Sequence, residues 1–174
     1  MKTATMALAM AMLGAVPAMA QDYHIRVTNM MPEGQTIAPL IVLDATLAEP
    51  FLYTDGKMSE DFVTTVLEGD PRPMNGKIGA GVAGPVLGKS GPPGVMIAGG
   101  EVAETDLYIQ SNTLRFYAKG SYGPGEDKVI SGVHDISMGG GTFYLHRYDI
   151  GHSEGTNEIT LVDENVVKVE ITRN

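Results

Sequence analysis

The densest group of side chains able to do chemistry is His146-Arg147-Tyr148-Asp149-Ile150-Gly151-His152-Ser153-Glu154-Gly155-Thr156-Asn157-Glu158. It follows a strand-like run and carries carboxylates at Asp149, Glu154 and Glu158. Hard cations such as calcium collect about six to eight oxygens from carboxylates, amides and backbone carbonyls. A loop of this composition, set beside other loops at one end of a β fold, can supply several of them. The DxDxDG order of an EF-hand is missing. On spacing alone a second reading stands beside the first: a solvated turn in which Asp149 and Asn157 only accept hydrogen bonds from backbone amides.

Histidine offers a rival chemistry. His146 and His152 flank the same loop, with His134-Asp135 and His24 elsewhere. Imidazoles that converge can bind copper or zinc, but nothing in the spacing brings these four together. Catalytic signatures are wanting: there is no GxSxG elbow, no HExxH and no serine–histidine order suggestive of a triad. Two acids could serve a glycosidase, although any acidic domain contains such pairs. Gly84-Pro85-Val86-Leu87-Gly88-Lys89-Ser90 comes one residue short of a phosphate-binding P-loop, and prolines follow where that motif needs a helix. The chain is therefore expected not to be an enzyme.

Composition narrows the remaining classes. The net charge is −9, and an acidic surface repels phosphate backbones, so nucleic acid is not an expected partner. There is no cysteine, which excludes thiolate zinc sites, iron–sulfur clusters and cysteine catalysis. Met1-Lys2, the apolar run Ala7 to Val16 and the small-x-small site Ala18-Met19-Ala20 read as a secretory signal peptide over residues 1–20, too short to span a bilayer. Export, to the periplasm or the outside, follows from it. Cleavage after Ala20 removes five of the 11 methionines, which weakens a methionine-rich copper site, and removes Lys2, taking the net charge from −9 to −10. No later stretch is apolar enough for a transmembrane segment. An exported chain without disulfides relies on its core, or on a metal ion that ties loops together.

The elements that must position these side chains are mostly strands. Tyr23, Ile25 and Val27 alternate with His24, Arg26 and Thr28, the period of a half-buried strand. Pro32, Gly34 and Pro39 break the pattern before a second apolar run, Leu40 to Leu43. Ser59 is placed to cap a helix reaching Glu68, with Glu60 and Asp61 in its first turn and Phe62, Val63, Val66 and Leu67 at helical spacing. Gly76 to Gly100 holds nine glycines in 25 residues and is expected to be a long loop around one short strand, Val95 to Ala98. Further strands are expected at Asp106 to Gln110, Leu114 to Ala118, Lys128 to Val133, Thr142 to Tyr148, Glu158 to Val162 and Val166 to Thr172, with a turn over Gly120 to Asp127. About eight short strands and one short helix make a single all-β domain over residues 21–174, an antiparallel β-sandwich.

Three stretches resemble the spondin amino-terminal domain in its bacterial secreted form. They are Ile25-Arg26-Val27-Thr28-Asn29 with Gly34-Gln35 and Pro39; Phe51, Gly56 and Met58-Ser59 with the helix end Leu67-Glu68-Gly69-Asp70; and Tyr148-Asp149-Ile150-Gly151 with Glu154, Thr156, Asn157 and Glu158. Their order spans most of the chain after the leader. The family often has a histidine shortly after the second strand, where this chain has Asp44, and its central stretch is matched only loosely by Leu114 to Asp127. The resemblance implies a C2-like sandwich acting as a secreted binding or adhesion module of extracellular-matrix type, with Ca2+ in its end loops and an extracellular or cell-surface ligand. Carried over by motif position, Asp149 and Glu154 are the leading metal ligands and Asn157 a weaker one. Asp44 and Asp127 are added as partners from neighbouring loops. The alternatives are a periplasmic copper binder using His146, His152 and the methionines, and a hydrolase with a carboxylate pair.

Overall fold

The computed structural model describes residues 21–120 and 127–174. The expected leader over 1–20, and most of the turn expected between Gly120 and Asp127, lie outside the described residues. In chain order the strands are β1 (Gln21–Asn29), β2 (Thr36–Ile37), β3 (Leu40–Asp44), β4 (Tyr53–Thr54), β5 (Lys57–Met58), β6 (Val82–Val86), β7 (Ile97–Ala98), β8 (Val102–Ile109), β9 (Thr113–Lys119), β10 (Lys128–Asp135), β11 (Gly140–Asp149) and β12 (Thr160–Arg173). The helices are α1 (Ala45–Leu52), α2 (Glu60–Glu68) and α3 (Arg72–Ile78). No helix among the described residues is long and apolar enough to cross a membrane.

Eight strands form one antiparallel sheet in the order β6-β3-β9-β10-β11-β12-β1-β8, with β2–β7 and β4–β5 as separate pairs. The mostly β, antiparallel expectation is met at that level. The strands are hydrogen-bonded as one sheet that curls until its edges, β6 and β8, nearly meet. Gly84 of β6, at φ +149°, faces Leu107 of β8 so closely that a Cβ on it would lie 2.8 Å from Leu107 Cδ2. Only glycine takes that conformation without strain, and it lets a leucine plug the seam.

Alternation sorts the sheet into two cores. Ile25 and Val27 pair with Ile171 and Val169, and with Leu40, Val42, Leu114, Phe116, Ile130 and Leu145 they fill the inside of the curl. The opposite faces of β3, β9 and β10 carry Ile41, Leu43, Tyr117 and Val129 under a layer of helices. This is why β3 reads Leu-Ile-Val-Leu with no polar alternation: it is covered on both sides. Phe62 of α2, fully buried, meets Tyr53 and Tyr117 edge-on at ring-centroid distances of 6.0 and 5.1 Å. Burial of such a side chain stabilises by about 1.5–3 kcal/mol.

The helix content corrects the sequence expectation of one short helix. The expected helix is α2, with Ser59 Oγ accepting the Phe62 N–H at 3.2 Å and Gly69 closing it in the left-handed conformation. Two more flank it. α1 starts at Asp44, whose Oδ1 accepts the N–H groups of Thr46 and Leu47 at 2.8 and 3.4 Å. α3 starts behind Pro71 with Pro73 in its first turn, where the missing proline N–H costs nothing. The Gly/Pro-rich stretch also departs from a bare loop, since its residues Val82–Val86 pair with β3 as an edge strand.

Candidate functional site

Asp127 immediately precedes β10, Lys128 is the first residue of that strand, and the ladder places Lys128 opposite Asp149, the last residue of β11. The loop that follows folds back over them. Asp149 Oδ1 accepts the Gly151 N–H at 2.8 Å, and the Asp127 backbone carbonyl accepts the Ile150 N–H at 3.0 Å. Asp127 Oδ2 accepts both the N–H and the hydroxyl of Ser153, at 3.2 and 3.1 Å. Gly151, at φ +65°, makes the tight approach possible: a Cβ there would sit 2.5 Å from Thr156 Oγ1 and 2.7 Å from the Glu158 carbonyl. Ile150 is fully buried in the helix-side core and anchors the loop from below.

The result is a convergence of acids. One carboxylate oxygen from each of Asp127, Asp149 and Glu154 lies within 4.8 Å of the others. Asp127 is 4 % exposed, Asp149 half-buried and Glu154 exposed. Between the two aspartates sits the Lys128 ammonium, 2.9 Å from Asp127 Oδ1 and 2.6 Å from Asp149 Oδ2. Burial by itself would raise the Asp127 pKa. The hydrogen bonds from Lys128 and Ser153 outweigh it and hold that carboxyl at about 2. Asp149 first, and Asp127 second, push the Lys128 ammonium above its ordinary value.

The other sequence candidates are dispersed. Asp44 caps α1 beside Leu114, at the far end of β9 from Lys119, which lies opposite Val129 beside the cluster. Asn157 takes a left-handed backbone, φ 52°, and its N–H donates to the Gly151 carbonyl at 3.2 Å. Glu158 pairs with Lys57 of the β4–β5 hairpin at 3.3 Å. Three of the four histidines keep separate company: His24 Nδ1 lies 2.9 Å from Asp106, His134 stacks on Phe143 and His146 Nδ1 accepts the Asn165 N–H, while His152 is exposed on the acidic loop, beside Ser153. Among the described residues the metal-compatible cluster contains no histidine.

Lys128 and Ser153 are the participants that sequence reasoning missed. The available signal was Lys128 beside Asp127 at the start of an expected strand, but only the register against Asp149 gives it meaning. As a donor set, three carboxylates and a hydroxyl suit a hard, oxygen-seeking divalent cation. Such an ion fits if Lys128, whose side chain is 26 % exposed, swings outward and gives up its place. Comparison of the chain with models of known protein families and with curated proteins finds no match.

Proposed function

We propose that the chain is an exported, non-enzymatic binding module of the spondin amino-terminal kind, with its curled sheet serving as the two-layer C2-like frame of that domain. Its acidic loop takes Ca2+, and the neighbouring loops bind an extracellular or cell-surface component. The observation that carries this reading is the approach of the Asp127, Asp149 and Glu154 oxygens to within 4.8 Å of one another. Lys128 then acts as a standing counter-charge: its ammonium neutralises the two aspartates, and a divalent cation replaces it. The dispersed histidines favour a hard cation over copper. Asp127 is also held well below the ordinary carboxyl range, the opposite of what a general acid in a hydrolase needs.

Calorimetry with CaCl2 and with CuCl2 on chelator-stripped protein, joined to melting curves, tests the reading. Calcium binding is expected to survive replacement of both His146 and His152 by alanine and to be lost in Glu154→Gln combined with Asp149→Asn. Lys128→Met is expected to tighten calcium binding by about tenfold, since it removes a competing charge. No calcium heat and no calcium-dependent rise in melting temperature would refute the metal site. Copper binding abolished by the histidine replacements would put the transition-metal reading in its place.

A further inference from the structure

A cavity of about 320 Å³ opens where the curled sheet fails to close. Its walls come from the start of α1 (Asp44, Leu47), the Ala80–Ala83 segment entering β6, and the end of β8 with its following turn (Tyr108 to Ser111). Its volume lies at the low end of the range for small-molecule sites, about 300–1,000 Å³. A further β-strand cannot be the occupant. Leu107 against Gly84 shuts the seam beside the cavity, and an inserted strand needs about 4.8 Å to each neighbour.

The lining has a definite chemistry. Leu47, Val82 and Ala83 make one part apolar, backed by the buried Ile109 and Leu114. The polar part includes Asp44, Tyr108 and Gln110. Asp44 spends Oδ1 on capping α1, while its Oδ2, the Tyr108 hydroxyl and the Gln110 carboxamide have no protein partner among the described residues. A carboxylate lines the cavity, no lysine, arginine or histidine does, and the chain as a whole is at −9. The positive N-terminal end of α1 is already met by Asp44 Oδ1, so the free Oδ2, with no basic side chain beside it, favours a cation over an anion. We propose that the seam cavity binds a small amphiphilic organic cation, a primary ammonium on a short aliphatic body, with the ammonium donating to Asp44 and the body lying against Leu47, Val82 and Ala83. This site is separate from the acidic loop and does not depend on calcium.

The test is an amide-shift titration of isotope-labelled protein with pentylammonium chloride, 1-pentanol and sodium pentanoate, at about 0.15 M salt to screen loose surface attraction. Saturable shifts are expected at Ala83, Ile109 and Gln110, with pentylammonium about tenfold tighter than pentanol and pentanoate weakest. Asp44→Asn keeps the helix cap, since asparagine caps as well as aspartate; it is expected to bring pentylammonium down to the affinity of pentanol at an unchanged melting temperature. Ala83→Phe, which fills the cavity, is expected to abolish binding of all three. Shifts that do not saturate or that scatter over the acidic surface overturn the proposal. So does pentanoate binding as tightly as pentylammonium, or unchanged pentylammonium affinity in folded Asp44→Asn.

Discussion

Replacing Asp127 by asparagine removes one negative charge from the Lys128 bridge and leaves the shape of the side chain intact. The folded-state carboxyl titrates at about 2 against an ordinary value of 3.8, and each unit corresponds to about 1.4 kcal/mol. Linkage therefore assigns the charged form about 2 kcal/mol of stability, in a side chain only 5 % exposed, where solvent screens little. The sign follows from the direction of the shift. A depressed carboxyl contributes fully above its unfolded value, near 3.8, and loses that contribution as the pH falls to about 2. Urea unfolding of the two proteins in chelator, from neutral pH downward, measures the difference. Asp127→Asn is expected to be about 2 kcal/mol less stable at neutral pH, with the gap closing between about pH 4 and pH 2. A gap that is already negligible at neutral pH, or that persists unchanged through that window, would refute the assignment of Lys128 and Ser153 as the groups that hold Asp127 ionised.

Two further outcomes test the frame. Gly151→Ala should cost about 2–4 kcal/mol in urea unfolding, because it combines a positive φ with backbone contacts at 2.7 and 2.9 Å to Glu158; it should also weaken calcium binding by unseating the loop. Phe62→Ala should cost about 3–5 kcal/mol, since the ring is fully buried between Tyr53 and Tyr117, with the calcium response retained in the folded fraction. A loss under 1 kcal/mol in either variant would contradict the packing described.

The strands with clean alternation were legible in the sequence. β1 shows its buried residues at every second position, and so does the second half of β12. The α2 cap was legible as well, because Ser59 and Gly69 are local signals. Elements that depend on distant partners were not. α1 contains Pro50 and little helical patterning, yet Ala48 and Leu52 are fully buried among the helices and the sheet. β6, written Val-Ala-Gly-Pro-Val, looks like loop until β3 pairs with it. The two strands expected between Glu158 and Thr172 are one, interrupted by a bulge: the β11–β12 register shifts around His146, and Asn165 adopts φ 56° while its N–H reaches His146 Nδ1. At the site, Asp149 and Glu154 lie five residues apart in one loop, and Asp127 reaches them only because β10 and β11 pair in register.

The two edge strands that meet without pairing, β6 and β8, have a consequence for how the protein behaves in crowded solution. An open sheet edge is a template onto which other chains can add, the first step toward fibrils. Here one margin is the short β6, interrupted by Gly84 and the exposed Pro85, which has no N–H to offer. The other, β8, turns the charged side chains of Glu104 and Asp106 outward, against Arg26 and His24 of β1, and charged side chains along an edge strand discourage a second chain from adding there. With Leu107 set against Gly84 between them, the two margins of the curled sheet thus offer a second chain little backbone to add onto.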